Sequence, residues 1–162
     1  MKIKLFVIVS ICILSLISFA AEKKITTTSK KPVVEKVKNE VTWYTDYEAA
    51  KKKAKEEKKL MMLLFTGSDW CGACKILKTR IFESKDFKNF AMKNLILIEL
   101  DFPKKTELDS KTKAQNNKLQ SKYKPKGFPC CVFLDSDEKE IGTILGYSEE
   151  FIKKMKKICE KK

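Results

Sequence analysis

The sequence predicts an α/β fold in which a mixed central sheet is flanked by helices on both faces. A continuous apolar run at residues 60–66 is typical of a strand that is buried on both faces, and residues 95–102 are expected to form the next buried strand. Segments with helical spacing precede and follow these runs, which indicates alternating strands and helices. A third strand at 130–135, a tight turn at 136–139 and a partner strand at 140–147 predict a closing hairpin.

The helices of the first half are predicted from apolar spacing and from their start signals. A surface helix is expected over 45–59, beginning with a capping box in which the side chains of Thr45 and Glu48 each satisfy a backbone N–H of the other residue. A further helix is expected to start at the cysteines of segment 71–82, and a second helical segment follows at 84–94.

The second half of the chain gives weaker helix signals. The polar stretch 103–115 is expected to be a loop, a short helix follows at 116–124, and the turn 125–129 leads into the hairpin. The last segment, 148–162, is predicted to be an amphipathic helix. Its inward face is expected to carry Phe151, Ile152, Met155, Ile158 and Cys159.

The start of the chain predicts export. A short basic region precedes an apolar run at 5–19, and Ser18 and Ala20 are small residues of the kind found at a cleavage site. We therefore expect residues 1–20 to be a secretory signal peptide that is cleaved, with an uncleaved membrane anchor as the alternative. The charged segment 21–40 is expected to be a flexible linker. The protein is thus expected to be periplasmic or secreted.

Length and charge restrict the function further. The chain has 162 residues, and a single folded domain is expected over 41–162. The formal charge is +14, with lysines spread along the whole chain and acids among them. This pattern favours a lysine-rich surface over a membrane or nucleic-acid partner, since there is no basic stripe with the aromatic residues that stack on bases. No nucleic-acid partner is expected.

The segment GSDWCGACK, residues 67–75, places two cysteines directly after a buried strand and at the start of a helix. Free backbone N–H groups and the helix dipole stabilise a thiolate there, so Cys71 is expected to be a nucleophile. Cys74 lies about one turn further on, is expected to be less exposed, and would resolve a mixed disulfide. Trp70 would shield the pair and offer an apolar surface to a partner.

Two other uses of these cysteines stay open. A static disulfide would close a very small loop and so constrain the unfolded chain little. Zinc usually needs four ligands, and the chain has no histidine. Cys130 and Cys131 are adjacent in a predicted strand, so their side chains point to opposite faces and cannot easily chelate together. A metal-handling site made of Cys71, Cys74 and Cys130 is therefore a less favoured alternative.

These motifs together resemble the thioredoxin superfamily, and more narrowly its secreted bacterial thioredoxin-like members. The resemblance is carried by WCGACK at 70–75, LILIELDFP at 95–103 and GFP at 127–129, and it extends from about Trp43 to Ile158. It implies a thioredoxin-like fold and a thiol–disulfide oxidoreductase activity, in which the first cysteine of the motif attacks and the second resolves.

The resemblance also implies roles for the neighbours of the two cysteines. Gly72 and Ala73 are the intervening pair that tunes the reduction potential. Pro129 matches the cis-proline that packs beside the cysteines, and cis bonds before proline cost little. The backbone of Phe128 would then pair with a substrate strand.

Three positions depart from the family pattern. Leu64 stands where thioredoxins carry a buried Asp, and Glu99 falls near a buried Lys of the family. Glu99 is a candidate proton acceptor for the second thiol, although an edge or surface carboxylate is the favoured interpretation. The intervening pair is Gly-Ala and not Gly-Pro. Cys130 replaces the usual Thr after Pro129, which makes it a candidate third redox thiol, with a small packing residue as the favoured interpretation.

The sequence thus predicts an exported thiol–disulfide oxidoreductase that acts on thiols or disulfides of other exported proteins. A reductase is favoured over an oxidase or an isomerase, and it would take electrons from a membrane thiol donor. No cofactor or metal is expected, and we expect a monomer. The alternative is a non-catalytic binding module that uses the same fold as a platform. Cys131 and Cys159 are expected to be core thiols.

Overall fold

The computed structural model of the protein describes residues 40–160. The predicted signal peptide, 1–20, and all of the predicted linker except Glu40 lie outside these residues. In chain order the elements are β1 (Trp43–Tyr44), α1 (Tyr47–Glu57), β2 (Leu60–Thr66), α2 (Gly72–Leu77) with a π-helical turn (Lys78–Phe82), α3 (Lys85–Asn94), β3 (Leu95–Asp101), α4 (Ser110–Tyr123), β4 (Cys130–Leu134), β5 (Glu140–Leu145) and α5 (Phe151–Cys159).

The strands form one mixed sheet in the order β1-β3-β2-β4-β5. β1 and β2 pair in parallel with β3, while β4 pairs antiparallel with β2 and β5. Apolar residues of α1 and α4 pack on one face of this sheet, and those of α2, α3 and α5 pack on the other. The predicted mixed sheet with helices on both faces is therefore confirmed.

The central strand β2 leads directly to the two cysteines. All of its residues are buried. Because side chains alternate along a strand, Met62 and Leu64 join the core beneath α2, α3 and α5, whereas Leu63 and Phe65 join the core beneath α1 and α4. Because β2 packs into both cores, the position of its last residue, Thr66, and the start of the loop that follows are fixed.

The start of the fold differs from the sequence prediction in two details. β1 was not expected, because two residues are too few to give an alternating pattern. The capping box at Thr45 is wrong, since the N-cap of α1 is Asp46, whose Oδ1 accepts a 2.9 Å hydrogen bond from the N–H of Ala49. Both residue types can cap a helix, and the chain begins the helix one residue later than the pattern suggested.

α4 is longer than predicted and occupies part of the expected loop 103–115. Asp109 caps its start by accepting a 3.0 Å hydrogen bond from the N–H of Thr112. Its buried residues are Asn116 and Leu119, so the helix carries almost no apolar periodicity. Instead, the side-chain amide of Asn116 donates a 2.9 Å hydrogen bond to the carbonyl of Asp101 and ties the helix to the end of β3.

The other helices agree with the prediction. The helix that starts at the cysteines continues to Phe82, although its last turn is π-helical. The inward face of α5 is the predicted one, with two buried and three partly buried residues: Phe151, Met155, Ile152, Ile158 and Cys159. Within residues 40–160, no helix combines the length and the apolar character that crossing a membrane requires.

Candidate active site

The two cysteines form a disulfide at the start of α2. Their Cα atoms are 5.3 Å apart. Cys71 is the N-cap residue of the helix, and its Sγ accepts a 3.2 Å hydrogen bond from the N–H of Cys74. The prediction that Cys74 is the less exposed of the two is wrong, because Cys71 is 5% and Cys74 6% exposed. Trp70, directly before the pair, and Gly72 and Ala73, between the two cysteines, are exposed.

The loop before the disulfide closes tightly around Gly67. Its carbonyl accepts a 2.9 Å hydrogen bond from the N–H of Cys71. A Cβ atom on Gly67 would lie only 2.3 Å from Cε2 of Trp70, so the indole packs in space that only glycine leaves free. The indole Nε1 donates a 2.8 Å hydrogen bond to the carbonyl of Phe102 and thereby fixes the ring on the loop after β3.

Two acidic side chains join this loop to the loop after β3. The Asp69 carboxylate accepts hydrogen bonds of 3.0 and 2.6 Å from the N–H groups of Lys104 and Lys105. In the other direction, the Asp101 carboxylate accepts bonds of 2.8 and 2.6 Å from the N–H and the hydroxyl of Ser68. The backbone donors of Lys104 and Lys105 hold the pKa of Asp69 below its usual value. The carboxylate is therefore charged throughout the neutral range.

An aromatic surface lies beside the disulfide. Trp70 is 41% exposed, and its ring centroid is 5.8 Å from that of Phe128. Phe128 also contacts Phe102, with ring centroids 5.3 Å apart. The ammonium of Lys104 sits 4.5 Å above the Trp70 ring. This arrangement groups three tilted aromatic rings, with a positive charge above the ring of Trp70.

Pro129 lies between this aromatic surface and the start of β4. The Phe128–Pro129 peptide bond is cis. The carbonyl of Pro129 accepts a 2.8 Å hydrogen bond from the N–H of Gly146, which has a φ of 74°. Leu145 and Tyr147 on either side of this glycine are both exposed apolar residues.

The remaining thiols of the described residues lie in the two cores. Cys130 belongs to the core beneath α1 and α4, whereas Cys131 belongs to the core on the opposite face, as the strand alternation predicted. Burial raises the pKa of Cys130 to about 11, that of Cys159 to about 11, and that of Cys131 well above its usual value. These three thiols are neutral at physiological pH, and a redox role for Cys130 stays a prediction.

Comparison with known proteins assigns the family. Residues 42–136, more than half of the chain, match the model of the family described as thioredoxin-like. The chain belongs to this family. The predicted superfamily and fold are thus confirmed.

Two curated relatives carry names that refer to disulfide chemistry. The chain is 40% identical over 79 residues to the disulfide bond reductase DsbH of Chlamydia pneumoniae, covering 49% of this chain and 48% of that protein. It is 29% identical over 123 residues to the thioredoxin-related protein DsbJ of the same organism, covering 74% of this chain and 35% of that protein. The chain therefore spans about half the length of the first relative and about a third of the second.

Solved structures show the same fold. The fold is similar to that of a DsbH oxidoreductase, with a TM-score of 0.68, 32% identity, and coverage of 75% of this chain and 86% of that chain. A thioredoxin from Thermus thermophilus has the same fold, with a TM-score of 0.59 and 21% identity, covering 75% of this chain and 88% of that chain.

Glu99 occupies a more enclosed position than expected for this thioredoxin-like chain. It pairs directly with Leu64 across β2 and β3, and β3 is an inner strand of the sheet. Glu99 is half-buried, and the pairing of β3 with β1 ends one residue earlier, at Ile98, so the interpretation as an edge or surface carboxylate stays a prediction. Burial raises its pKa, an effect that Lys78 opposes and Asp101 reinforces. Its role as a proton acceptor stays a prediction.

The sequence prediction missed the residues that join the two loops, namely Ser68, Asp69, Asp101, Phe102 and Lys104. The sequence does contain a signal that could have located these residues. β2 and β3 are parallel neighbours, so the segments that follow them meet at one edge of the sheet. Polar groups directly after both strands can therefore bond to each other. Within residues 40–160, no group of three or more Cys, Asp or Glu side chains is arranged to hold a metal ion.

Proposed function

We propose that this chain is an exported thiol–disulfide oxidoreductase that reduces disulfides in other exported proteins. The observation that carries the proposal is the Cys71–Cys74 disulfide at the first turn of α2, bordered by the exposed Trp70 ring. A dithiol with this spacing at a helix start is suited to exchange, because the backbone N–H that already reaches the Cys71 sulfur in the disulfide would stabilise its thiolate after reduction.

The reaction begins with the reduced protein. The Cys71 thiolate attacks one sulfur of a disulfide in the partner, forms a mixed disulfide, and releases the other partner sulfur as a thiolate that takes up a proton. The Cys74 thiol then loses its proton, and its Sγ attacks Cys71 Sγ. The Cys71–Cys74 bond forms as the bond to the partner breaks. Two electrons have passed to the partner, which leaves with both thiols reduced.

The aromatic surface serves to dock the partner in this proposal. Trp70 and Phe128 offer apolar contacts beside Cys71, and Lys104 adds a positive charge at the edge. We expect Pro129 to hold the backbone of Phe128 near the disulfide, where an extended partner segment would pair with it. The exposed pair Gly72 and Ala73 lets a partner chain approach the sulfur and sets the reduction potential together with the first turn of α2.

The direction and the location rest on different observations. The printed name of the DsbH relative, a disulfide bond reductase, favours reduction over oxidation or isomerisation. The apolar run at 5–19 favours export. An exported reductase needs a supply of electrons, for which we propose a membrane thiol donor. No cofactor takes part, and the protein acts as a monomer.

Disulfide reduction by the purified protein tests this proposal directly. With dithiothreitol as the electron source, we expect the wild type to accelerate the reduction of insulin disulfides. C71S should lose this activity entirely, and C74S should stop at a mixed disulfide with the partner. C159S is the matched control, since this thiol is packed against the core, and it should keep full activity.

Other outcomes of this experiment would contradict the proposal. If wild type and C71S reduced insulin equally slowly, the oxidoreductase proposal would be wrong. A C71S variant that still bound a partner as tightly as wild type would then support a binding module on the thioredoxin-like fold.

A further inference from the structure

Two lysines hold their ammonium groups beside Trp70, the residue directly before Cys71. The ammonium of Lys104 lies 4.5 Å from the centroid of the Trp70 ring. The ammonium of Lys75 donates a 3.4 Å hydrogen bond to the carbonyl of Asp69, which precedes Trp70. Because the N–H of Lys75 donates to the carbonyl of Cys71, Lys75 lies one turn beyond Cys71 on the same face of α2. Two exposed positive charges thus lie close to the reacting cysteine.

The carboxylates of this region are already bound to other groups. Asp69 accepts hydrogen bonds from the backbone of the loop after β3, and Asp101 accepts two from Ser68. In the part of the chain that the structure describes, neither Lys75 nor Lys104 forms an ion pair with a carboxylate. Both ammonium groups can therefore receive a carboxylate from a partner.

Lys104 also lines a cavity of about 450 Å³ between the loop after β3 and α4. The cavity adjoins Trp70, whose indole N–H donates to a carbonyl at the cavity wall, and Lys113 of α4 lines it as well. Its acidic residues are Asp101, whose carboxylate is bound to the loop before the disulfide, and Glu107, which is exposed. A single water needs only about 10–15 Å³ of cavity, so an acidic side chain fits easily.

The residues that flank a partner's cysteine come close to these lysines. In the mixed disulfide, the partner's cysteine is bonded to Cys71 Sγ. An extended chain advances about 3.3 Å per residue, so a side chain one or two positions from that cysteine starts within about 7 Å of it. We expect a carboxylate at one of these positions to reach the ammonium of Lys75 or Lys104.

We propose that the partner disulfides of this protein carry acidic residues next to the cysteine that Cys71 attacks. Lys75 and Lys104 bind these carboxylates, and the cavity beside Trp70 admits the acidic side chain that lies nearest to Lys104. The proposal rests on the oxidoreductase function given above and names its substrate class. The two lysines contact no reacting atom, so they determine specificity and not the chemical step.

Charge pairs at an exposed surface act mainly on association. They raise the rate of encounter and are screened by salt, since the Debye length falls from about 10 Å at 0.1 M to about 3 Å at 1 M. One exposed pair changes an equilibrium by up to roughly fivefold, so two lysines together can give a preference of about tenfold. A preference of this origin should disappear at high salt.

Reduction of matched peptide disulfides tests the proposal. Three fluorescent peptides differ only in whether a pair of Glu, Gln or Lys residues flanks one cysteine of the disulfide, and dithiothreitol supplies the electrons. At low salt we expect kcat/KM of the wild type to be about tenfold higher for the Glu peptide than for the Gln peptide, and lowest for the Lys peptide. At about 1 M salt the three values should converge.

Substitution of the lysines shows whether they cause the preference. K75Q and K104Q should each lower the ratio of the Glu-peptide rate to the Gln-peptide rate about threefold, and the double variant should bring it close to one. Any change in the reactivity of Cys71 cancels in this ratio, because both peptides share it. E107Q removes an acidic residue from the cavity, so its ratio should rise, a gain that a folding defect would not produce.

K93Q is the matched control, because it also removes one exposed positive charge. Lys93 lies in the last turn of α3, just before β3 begins, whereas the loop that carries Lys104 follows the other end of β3. The ratio of the two rates in K93Q should therefore equal that of the wild type.

The proposal is overturned if the wild type reduces the three peptides equally fast at low salt, if the double variant keeps the wild-type ratio, or if K93Q lowers the ratio as much as K104Q. In each case, reduction of the Gln peptide by the wild type leaves the oxidoreductase function intact. A wild type that reduces none of the peptides removes that function, and with it the proposed substrate class.

Discussion

The cysteines at the start of α2 and those in the cores differ in setting more than in exposure. Cys71 and Cys74 are only 5% and 6% exposed, and Cys159 is more accessible than either. Yet the Cys159 sulfur lies among apolar side chains that raise its pKa, whereas the Cys71 sulfur begins a helix and receives a backbone N–H. Solvent exposure alone therefore does not mark a reactive thiol in this fold.

The two thiols of β4 resemble each other, although they face opposite sides of the sheet. Cys130 and Cys131 are adjacent in sequence but belong to different cores. Neither has a polar group that favours its thiolate, and burial dominates the pKa of both. The loops that follow β2 and β3, by contrast, are joined by side-chain hydrogen bonds beside the disulfide.

Alkylation of the reduced protein should give the largest difference between the two groups. At pH 7, a thiol with a pKa of about 11 is only about 0.01% ionised, against about 3% for an ordinary thiol. We expect iodoacetamide to modify Cys71 at least about 100-fold faster than Cys159, as read by peptide mass spectrometry.

The pH dependence of alkylation shows whether the pKa of Cys159 is raised. Because burial raises the pKa of Cys159, its reaction rate should rise about tenfold for each pH unit until it approaches about 11. Equal rates for Cys71 and Cys159 at pH 7 would show that the comparison between the two groups is wrong.

Exchanging a core sulfur for oxygen should destabilise the fold. C131S would place a hydroxyl in an apolar core where Cys131 is fully buried. We expect a loss of about 1–3 kcal/mol in the free energy of unfolding, measured by urea denaturation. C159S is the control, and its loss should be smaller because that position is only partly buried. Equal losses of stability in the two variants would show that the difference in burial between Cys131 and Cys159 does not affect the free energy of unfolding.

Gly67 tests whether the position of the Trp70 ring matters. In G67A the new Cβ would overlap the indole, so the ring must move and lose its hydrogen bond to Phe102. We expect a shift in Trp70 emission, read in a W43F background, and roughly tenfold slower insulin reduction. In G72A the new Cβ has no neighbour within 4 Å, so the emission should not change. Insulin reduction by G67A at the wild-type rate would mean that the position of the Trp70 ring is not important for activity.

Asp69 tests the hydrogen bonds between the loops, with a smaller effect. In D69N the amide group can accept fewer hydrogen bonds from the N–H groups of Lys104 and Lys105, so hydrogen exchange at those amides should be several-fold faster. Because the pKa of Asp69 is lowered, protection in wild type should persist as pH falls through the usual Asp range and disappear only below it. D86N, on α3, should leave this exchange unchanged. Identical exchange in D69N and wild type would exclude a role for Asp69 in holding the loops together.

The main elements of the fold could be predicted from the sequence because their residues repeat with a clear period or are continuously apolar. β2 is an example, since its buried residues form a single apolar run. α4 could not be predicted in full, because its inner face carries Asn116 and Gln115, which bond to backbone carbonyls of Asp101 and Thr45. Such polar contacts between distant segments leave no periodic pattern.

The candidate site also has parts that could be predicted from the sequence and parts that could not. The motif at 70–75 and the proline at 129 have fixed spacings, so they could be recognised directly. The partners of Trp70 and Asp69 lie in the loop after β3, more than 30 residues away, and depend on the parallel pairing of β2 with β3. The enclosure of Glu99 likewise depends on which strand is its neighbour, which a single sequence does not state.

The reduction potential of the Cys71–Cys74 pair tests the central claim most directly. The protein is equilibrated in thiol buffers of defined potential, and its free thiols are counted by the mass shift on alkylation. We expect a single two-electron transition at about −270 mV, the value of thioredoxin. A value near about −120 mV, typical of a strong oxidant, would contradict the reductase assignment. No transition at all would contradict the exchange chemistry itself.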